Sequence, residues 1–285
     1  MPYTLADYST QYKATWCPAC GNFGIWSALR KALMDMQLAP HKVLSVYDIG
    51  CSGNGLNWFR TYGFHSLHGR ALPAAVGAKL ANHDMTVIAF GGDGGAYGEG
   101  GNHFIHTCRK NIDMTYIIHD NQLYSLTTGQ ASPTTDTGTK TKSTPEGDVE
   151  KPLRPLQLAI SCGATFVARG YADDFQNLSQ ILVQAIQHKG FAVVDILQPC
   201  VTFNLVNTRE WYAKHMKKLS DMNWDPTNKD KALLITGNWE EGIPIGVIYR
   251  EERPTFEDQQ PALKNGPLVD QVRSYSVSAL LSDFQ

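Results

Sequence analysis

Short apolar runs alternate with amphipathic segments between residue 20 and about residue 196. The runs are rich in β-branched residues and end at Gly, Asp or Asn, a pattern typical of strands that are buried on both faces. We expect strands over residues 43–48, 85–90, 114–119, 164–168 and 191–197. Since helical segments separate them, the pattern predicts an α/β fold whose parallel sheet carries helices on both faces.

Apolar residues recur at helical spacing between these runs. Ile25, Leu29 and Leu33, for example, share one face of a predicted helix. Helices are expected over residues 24–38, 71–83 and 174–189. Beyond residue 200 the periodicity weakens, and only a helix over 209–219 and a strand over 243–249 stand out. We therefore divide the chain into a domain over residues 1–205 and an irregular C-terminal extension over residues 206–285.

The turns after three predicted strands have an unusual composition. They read Ile49-Gly-Cys-Ser-Gly-Asn-Gly, Gly91-Gly-Asp-Gly-Gly and Asp120-Asn-Gln-Leu-Tyr-Ser. In open parallel sheets ligands bind beyond the carboxyl ends of the strands, so these turns are the expected position of a functional site. A polar stretch over residues 131–155 exceeds the usual length of a connection, and we expect it to be functional or disordered.

Asp93 follows a predicted strand between glycines, which let backbone N–H groups approach an anion. Asn121 follows the next strand, so both side chains can face the same point. Magnesium prefers oxygen ligands, and Asp93, Asn121 and the backbone carbonyl of Leu123 can supply half of its shell beside a diphosphate. This Gly-Asp-Gly … Asn pattern, followed by Tyr124-Ser-Leu-Thr-Thr-Gly-Gln, resembles the thiamine diphosphate signature of thiamine-dependent enzymes.

The charge balance argues against two classes of partner. The 285 residues include 25 Lys and Arg against 27 Asp and Glu, a net charge of −2. Binding to nucleic acid or to an anionic membrane requires a surplus of basic residues, so we expect neither partner. The N-terminus has no signal-peptide pattern, and no long uncharged apolar stretch occurs, so we expect a cytoplasmic protein.

Cys17-Pro-Ala-Cys20 allows three interpretations. It resembles the redox-active turn of thioredoxins, although such a turn should follow a first strand and only a polar segment precedes it here. It can also be half of a zinc knuckle, or part of an iron–sulfur site with four thiolates. The chain has six cysteines, and because a reducing cytosol does not preserve disulfides, we expect none of them to form structural disulfides.

The other cysteines bear on this choice. Cys51 lies in the first strand-end turn, and Cys200 follows the strand over residues 191–197. If both lie at the same edge of the sheet as Asp93, they can complete a four-thiolate site near a cofactor. Cys108 and Cys162 lie within helical patterns and are expected to be inert core thiols.

Together these motifs resemble the β subunit of the 2-oxoacid:ferredoxin oxidoreductases, over most of residues 9–210. The motifs are Trp16-Cys-Pro-Ala-Cys-Gly21, Ile49-Gly-Cys-Ser52, His68-Gly-Arg70, Gly91-Gly-Asp-Gly94, Gly101-Asn-His103, Arg109-Lys-Asn-Ile112, Asp120-Asn121, Leu126-Thr-Thr-Gly-Gln-Ala-Ser-Pro133 and Gln198-Pro-Cys200. The resemblance implies a thiamine diphosphate-binding fold. It also implies that one [4Fe-4S] cluster is bound by Cys17, Cys20, Cys51 and Cys200.

The resemblance further implies which residues surround thiamine diphosphate. They are Ile49, Gly50, Cys51, Ser52, His68, Gly94, Gly95, Ser125, Leu126, Thr127, Thr128, Gly129 and Gln130. His68 and Arg70 are the candidate catalytic residues, because they can hydrogen-bond or pair with a diphosphate or substrate anion. A purely structural role for this pair is the alternative.

The implied activity is the coenzyme A-dependent oxidative decarboxylation of a 2-oxoacid to acyl-CoA and CO2, with electrons passing singly to ferredoxin. Thiamine activation requires a carboxylate at the pyrimidine ring, and Glu99 is expected to point away from it. The resemblance therefore implies that an α subunit supplies this group. In some family members the turn reads Leu-Thr-Lys-Gly-Gln, and Thr128 replaces that lysine here. Pyruvate, 2-oxoglutarate and branched or aromatic 2-oxoacids therefore all remain candidate substrates.

Two other functions and one further binding role stay open. The chain can be a non-redox thiamine-dependent decarboxylase or carboligase subunit with a zinc knuckle, or a thioredoxin-like redox module. The basic residues of the polar stretch can contact coenzyme A phosphates or simply be solvated. They are Lys140, Lys142, Lys151 and Arg154.

Overall fold

The computed structural model describes residues 2–239, 242–271 and 277–282, and in it the apolar runs form parallel strands. The strands are β1 (Val43–Tyr47), β2 (Tyr62–His65), β3 (Thr86–Gly92), β4 (Met114–Asp120), β5 (Leu123–Tyr124), β6 (Gln130–Ala131), β7 (Phe166–Tyr171), β8 (Phe191–Leu197), β9 (Met216–Lys218) and β10 (Ile243–Arg250). Eight of them form one sheet in the order β2-β1-β3-β4-β8-β7-β10-β9, and β5 and β6 pair separately. Among the described strand pairings of the large sheet, only that of β10 with β7 is antiparallel.

Helices cover both faces of the sheet. They are α1 (Asn22–Asp35), α2 (Ala71–Ala81), α3 (Gly101–Lys110), α4 (Pro155–Ser161), α5 (Phe175–Gln187), α6 (Arg209–His215), α7 (Lys229–Gly237) and α8 (Val277–Ser282). Apolar residues of α1 and α5 pack on one face, and those of α2, α3 and α4 pack on the other. Neighbouring residues of a strand point to opposite faces, so Val193 and Val194 of β8 belong to different core clusters.

The predicted fold class is confirmed, and the six predicted strands correspond to β1, β3, β4, β7, β8 and β10 within a few residues. The sequence pattern missed β2 because all four of its residues are exposed at the edge of the sheet, so it carries no sign of burial. The helical pattern expected around Cys162 corresponds to α4, which ends just before this residue and is only 7 residues long. The pattern missed α7, which has 9 residues. The helix expected over residues 209–219 ends at His215, because the next three residues form β9 and pair with β10.

The C-terminal extension is more regular than expected. It contributes β9 and β10 to the main sheet, and Leu219, Ala232 and Ile248 join one of the core clusters. The division at residue 205 stays a prediction. Both predicted segments include residues outside the described part of the chain, namely residue 1 and residues 240–241, 272–276 and 283–285. Among the described helices, none has both the length and the apolar character needed to cross a membrane.

Candidate cofactor site

The carboxyl ends of β1, β3, β4 and β8 lie side by side, so the turns that follow these strands meet at one edge of the sheet. A cavity, which we call the strand-end cavity, opens there. It is lined by Ile49, Gly50, Cys51, Ser52, His68, Gly92, Asp93, Gly94, Gly95, His119, Asn121, Leu123, Tyr124, Ser125, Leu126, Thr127 and Gln198. The structure thus brings together the three predicted magnesium ligands and most of the residues expected around thiamine diphosphate.

Three of the expected residues, Thr128, Gly129 and Gln130, lie outside this lining. Thr128 and Gly129 have positive φ angles of 81° and 96°, which turn the chain back toward β6. Gln130 Nε2 donates a hydrogen bond of 2.7 Å to the carbonyl oxygen of Thr127. These residues therefore shape the turn that carries Ser125 and Thr127, and direct contact with thiamine diphosphate stays a prediction for them.

The turn after β3 packs so closely that glycine is required at two positions. A Cβ atom on Gly95 would lie 2.3 Å from Asp48 Oδ2, and a Cβ atom on Gly94 would lie 2.2 Å from the Tyr124 ring. The chain continues from there as a π-helical segment, Gly94–Glu99. Such segments are rare and are found mostly at functional sites. The glycines after Asp93 are therefore explained by close packing against the buried Asp48 carboxylate and the aromatic ring.

Asp93 is fully buried, and hydrogen bonds hold its carboxylate in place. Oδ2 accepts hydrogen bonds from the Ser132 hydroxyl and, at 2.8 Å, from the Thr134 hydroxyl. Oδ1 accepts a longer one of 3.4 Å from the backbone N–H of Asn121. Burial raises the pKa of Asp93 to about 6, although these hydrogen bonds oppose the shift. Oδ1 retains the capacity to bind a cation, as a magnesium ligand must.

Ser132 and Thr134 are site residues that sequence analysis missed. They belong to the polar stretch over residues 131–155, whose first part is neither disordered nor solvated, because Ser132, Thr134 and Thr135 are buried. The feature of the sequence that could have indicated these two residues is the Ser-Pro-Thr-Thr segment, which follows the cavity-lining turn. No periodicity accompanies it, so only the folded chain reveals that the two hydroxyls meet Asp93.

A double substitution tests this contact. Ser132→Ala with Thr134→Val removes two hydrogen bonds to a buried carboxylate, each worth about 1.5–3 kcal/mol because the acceptor is charged. We expect magnesium-dependent binding of thiamine diphosphate, measured by calorimetry, to weaken at least about tenfold. Thr137→Val, the same change at an exposed position of the stretch, is the control. Equal affinity in the double variant and the control would show that the hydroxyls are not needed.

Asn121 connects the predicted magnesium site with the next strand end. Its Oδ1 accepts hydrogen bonds from the Leu123 N–H at 3.2 Å and from the Ser125 hydroxyl at 2.7 Å. Its Nδ2 donates to Gln198 Oε1 at 3.2 Å. Gln198 Nε2 in turn donates to Cys20 Sγ at 3.3 Å. A continuous chain of hydrogen bonds therefore leads from the predicted magnesium ligands to the first pair of cysteines.

Several polar atoms in the cavity lining have no hydrogen bond within the described chain. They are Ser52 Oγ, His68 Nδ1 and His119 Nε2. Buried polar groups are normally satisfied, so their concentration in one cavity fits a polar ligand. Burial lowers the pKa of His119 to about 3, which keeps its ring neutral. Its Nδ1 contacts Asn22 Oδ1 at 2.6 Å, so with the proton on Nδ1 its Nε2 is free to accept from a ligand.

His68 lies in the cavity lining beside two carboxylates. Its Nδ1 is 3.4 Å from Glu99 Oε2 and 3.9 Å from Asp48 Oδ1. The Tyr124 hydroxyl also donates to Glu99, at 3.2 Å. Glu99 therefore contacts two cavity-lining residues, because the π-helical segment ends at this position. Its expected orientation away from the pyrimidine ring stays a prediction.

Arg70 contacts the backbone rather than the cavity. Its Nη1 donates to the carbonyl oxygens of Gly69, at 3.2 Å, and of Glu99, at 2.8 Å. These hydrogen bonds join the start of α2 to the end of the π-helical segment. They agree with the structural alternative for Arg70, and its catalytic role stays a prediction without a supporting contact.

A second cavity of about 200 Å³, which we call the thiol cavity, adjoins the first. It is lined by Thr15, Trp16, Cys17, Cys20, Cys51, Asn54, Asn121, Ser125, Leu126, Gln198, Cys200, Val201, Thr202 and Phe203. All four predicted cluster ligands therefore meet in one place, and Cys51 lines both cavities. Cys108 lies elsewhere, buried in α3, and Cys162 is half-buried at the end of α4.

Local contacts hold the cysteine-bearing segments together. The backbone N–H of Gly21 donates to the carbonyl oxygen of Pro199 at 3.2 Å, which ties the Cys20 segment to the turn after β8. The Trp16 indole donates to the carbonyl oxygen of Cys51 at 2.7 Å. Three separate parts of the chain thus present thiols to the same cavity.

The thiols influence one another's acidity. Burial raises the pKa of Cys20, and the nearby thiols of Cys200 and Cys17 raise it further. Burial, followed by the other three thiols, raises the pKa of Cys51 to about 12. Yet among the described residues no three or more His, Cys, Asp or Glu side chains are grouped closely enough to hold a single metal ion. The four thiols are nevertheless neighbours in the lining of one cavity.

Two protein families match the chain. The thiamine pyrophosphate enzyme, C-terminal TPP binding domain, matches residues 48–196. This range includes the turns after β1, β3 and β4, which form most of the strand-end cavity. The family of the C-terminal part of the pyruvate ferredoxin oxidoreductase beta subunit matches residues 200–265.

Individual relatives agree with these families. The 2-oxoacid:ferredoxin oxidoreductase subunit beta of Saccharolobus solfataricus is 45% identical over 274 residues, which cover 92% of this chain and 90% of that protein. The subunit beta of 2-oxoacid:ferredoxin oxidoreductase 1 of Aeropyrum pernix is 42% identical, and the match covers 90% of this chain and 84% of that protein.

A solved structure shows the same fold. It is the 2-oxoglutarate:ferredoxin oxidoreductase from Magnetococcus marinus, with 2-oxoglutarate, coenzyme A and succinyl-CoA bound. The match has a TM-score of 0.92 and 31% sequence identity, and it covers 99% of this chain and 96% of that chain. The strand-end turns, the family matches and these relatives lead to one assignment. The chain belongs to the β subunits of the 2-oxoacid:ferredoxin oxidoreductases, thiamine diphosphate-binding oxidoreductases that need a partner subunit.

Proposed function

We propose that this β subunit, with an α subunit, catalyses the coenzyme A-dependent oxidative decarboxylation of a 2-oxoacid of the pyruvate or 2-oxoglutarate class. When bound, thiamine diphosphate with Mg²⁺ supplies the electron sink for decarboxylation, and a [4Fe-4S] cluster supplies the one-electron carrier toward ferredoxin. The observation that carries the proposal is the position of Cys51, which lines both the strand-end cavity and the thiol cavity.

The polar atoms of the strand-end cavity fit the diphosphate and its metal. Asp93 Oδ1, Asn121 Oδ1 and the carbonyl oxygen of Leu123 are the ligands that we assign to Mg²⁺. Ser52 Oγ and His119 Nε2 have no hydrogen bond within the described residues. The Ser52 hydroxyl can donate to a diphosphate oxygen, whereas His119 Nε2 can only accept from an N–H or O–H group of the cofactor or its bound water. A polar ligand in this place would therefore satisfy groups that otherwise remain costly to bury.

The thiol cavity fits a cluster better than a zinc ion. Zinc bonds each thiolate at about 2.3 Å, so its four ligands must approach one another closely. No such grouping of three or more ligand side chains occurs within the part of the chain that the structure describes. A cube of iron and sulfur is itself larger than one ion and holds its thiolates farther apart. A cavity of about 200 Å³ with four thiols in its lining agrees with that requirement.

The thioredoxin-like alternative loses its support. Cys17 and Cys20 precede α1 and β1, whereas a redox-active dithiol turn is expected after a first strand. We therefore assign this pair to cluster binding.

The free chain is expected to lack activity. Within the described residues, His68 lies beside the Asp48 and Glu99 carboxylates, and Glu99 is about half exposed, so a partner surface is needed to exclude water from it. We expect the purified chain to show no 2-oxoacid oxidation above background, and addition of its α subunit to restore it. Oxidation by the single chain would contradict the need for a partner.

The decisive assay uses the complex with its α subunit, purified without oxygen. Viologen or ferredoxin reduction is measured with pyruvate, 2-oxobutyrate and 2-oxoglutarate, each with and without coenzyme A. Reduction that depends on a 2-oxoacid is the expected result. Release of CO2 without reduction of the acceptor would instead assign a non-redox decarboxylase.

A cytoplasmic location forms part of the proposal. All six cysteines are free thiols, which agrees with a reducing compartment. Electron transfer to ferredoxin also requires thiolates that stay reduced for cluster binding. Fractionation of cells followed by immunodetection tests this location.

A further inference from the structure

The polar stretch places one lysine against the turn that lines the strand-end cavity. Lys142 Nζ donates a hydrogen bond of 2.9 Å to Thr128 Oγ1. Thr128 directly follows Thr127, which lines the cavity. The turn itself is closed by a hydrogen bond of 3.1 Å from the Thr128 N–H to the carbonyl oxygen of Ser125. A positive charge therefore lies one residue away from the cavity lining.

Backbone contacts fix the position of Lys142. The N–H of Asp148 donates to the carbonyl oxygen of Thr139 at 2.9 Å, which closes the loop around the lysine. The next residue, Ser143, accepts a hydrogen bond of 3.3 Å at its hydroxyl from the N–H of Ala131 in β6. The loop is thus attached to the same small hairpin that carries the cavity-lining turn.

The ammonium group of Lys142 can donate further hydrogen bonds. An ammonium carries three N–H donors, and the hydrogen bond to Thr128 uses one of them. Lys142 is exposed, and within the described residues no carboxylate forms an ion pair with it. The lining of the strand-end cavity includes the Asp93 carboxylate but neither Lys nor Arg. Arg70 is already engaged with two backbone carbonyls.

We propose that Lys142 binds an anionic group of an incoming substrate, a carboxylate or phosphate oxygen, beside the strand-end cavity, and so contributes to substrate selection. The proposal rests on the proposed function, which supplies two sources of such a group. One is the distal carboxylate of a dicarboxylic 2-oxoacid such as 2-oxoglutarate. The other is a phosphate of coenzyme A. Both are recognised by a charge-assisted hydrogen bond from an ammonium.

Steady-state kinetics of the complex with its α subunit test the proposal. Lys142→Ala is compared with Lys140→Ala, which removes an exposed lysine from the same loop. We expect Lys142→Ala to raise the KM for an anionic substrate about tenfold, with little change in kcat, because one charge-assisted hydrogen bond is lost. Lys142→Arg should retain most of the affinity. Equal melting temperatures of the two alanine variants exclude a folding defect.

The pattern of KM values identifies the source of the anion. A rise for 2-oxoglutarate but not for 2-oxobutyrate supports the distal carboxylate. A rise for coenzyme A with either 2-oxoacid supports a phosphate. Unchanged KM values in an active complex, or equal changes in Lys140→Ala, would overturn the proposed role of Lys142 but not the proposed function. A wild-type complex that oxidises no 2-oxoacid contradicts the proposed function itself.

Discussion

Replacing Cys200 with alanine is expected to remove the iron–sulfur chromophore and electron transfer while the chain still folds. Cys200 is buried, and it is one of four thiols in the thiol cavity. Loss of a group that merely supports a metal ligand typically costs about 10–100-fold, so loss of the ligand itself should lower viologen reduction by about 100-fold or more. Iron and sulfide content, and absorbance near roughly 400 nm, report the cluster directly.

Cys162→Ala is the matched control for this experiment. Cys162 is half-buried at the end of α4 and belongs to neither cavity. We expect it to retain iron, colour and activity. Full iron content and wild-type activity in Cys200→Ala would exclude Cys200 as a ligand, and thermal unfolding of both variants distinguishes cluster loss from misfolding.

Asp93→Asn is expected to abolish the thermal stabilisation by thiamine diphosphate and Mg²⁺ without destabilising the protein in the absence of the cofactor. The substitution keeps the shape of a fully buried side chain but removes its charge. A charged group is costly to bury, so the variant without cofactor should unfold at the same temperature as wild type or higher. Thiamine diphosphate with Mg²⁺ at about 100 times its Kd stabilises a wild-type protein by about 2.7 kcal/mol, and the variant should lose this gain.

Asp84→Asn provides the control, because Asp84 lies at the opposite end of β3 and is largely exposed. It should keep the full thermal shift on addition of thiamine diphosphate and Mg²⁺. A wild-type shift in Asp93→Asn would contradict the assignment of Asp93 as a magnesium ligand. A large fall in its stability without cofactor would show that the carboxylate serves folding instead.

The sequence was most informative where strands are buried on both faces. The runs that form β4 and β8 are mostly apolar, and both are buried along their whole length. β2 was missed because an exposed edge strand lacks this pattern. The C-terminal strands β9 and β10 join the sheet through pairing between distant segments, and local periodicity contains no information about such pairing.

The site was predictable in its motifs but not in its supporting contacts. Asp93 and Asn121 follow adjacent parallel strands, so topology alone brings them together. Ser132 and Thr134 reach Asp93 only because an aperiodic stretch folds back over the site. The sequence predicts only that His119 lies at the end of a buried strand. Its role depends on Nε2, which has no hydrogen-bond partner within the described residues, and no sequence pattern reveals this.

The central claim is that electrons pass from the thiamine site to a cluster held by this chain. The most direct measurement adds a 2-oxoacid to the oxygen-free complex with its α subunit, without ferredoxin, and follows absorbance near roughly 400 nm. We predict bleaching on addition of the substrate and recovery when ferredoxin accepts the electrons. A colourless protein with stoichiometric zinc, or a coloured one whose absorbance does not change while CO2 is released, would contradict the account.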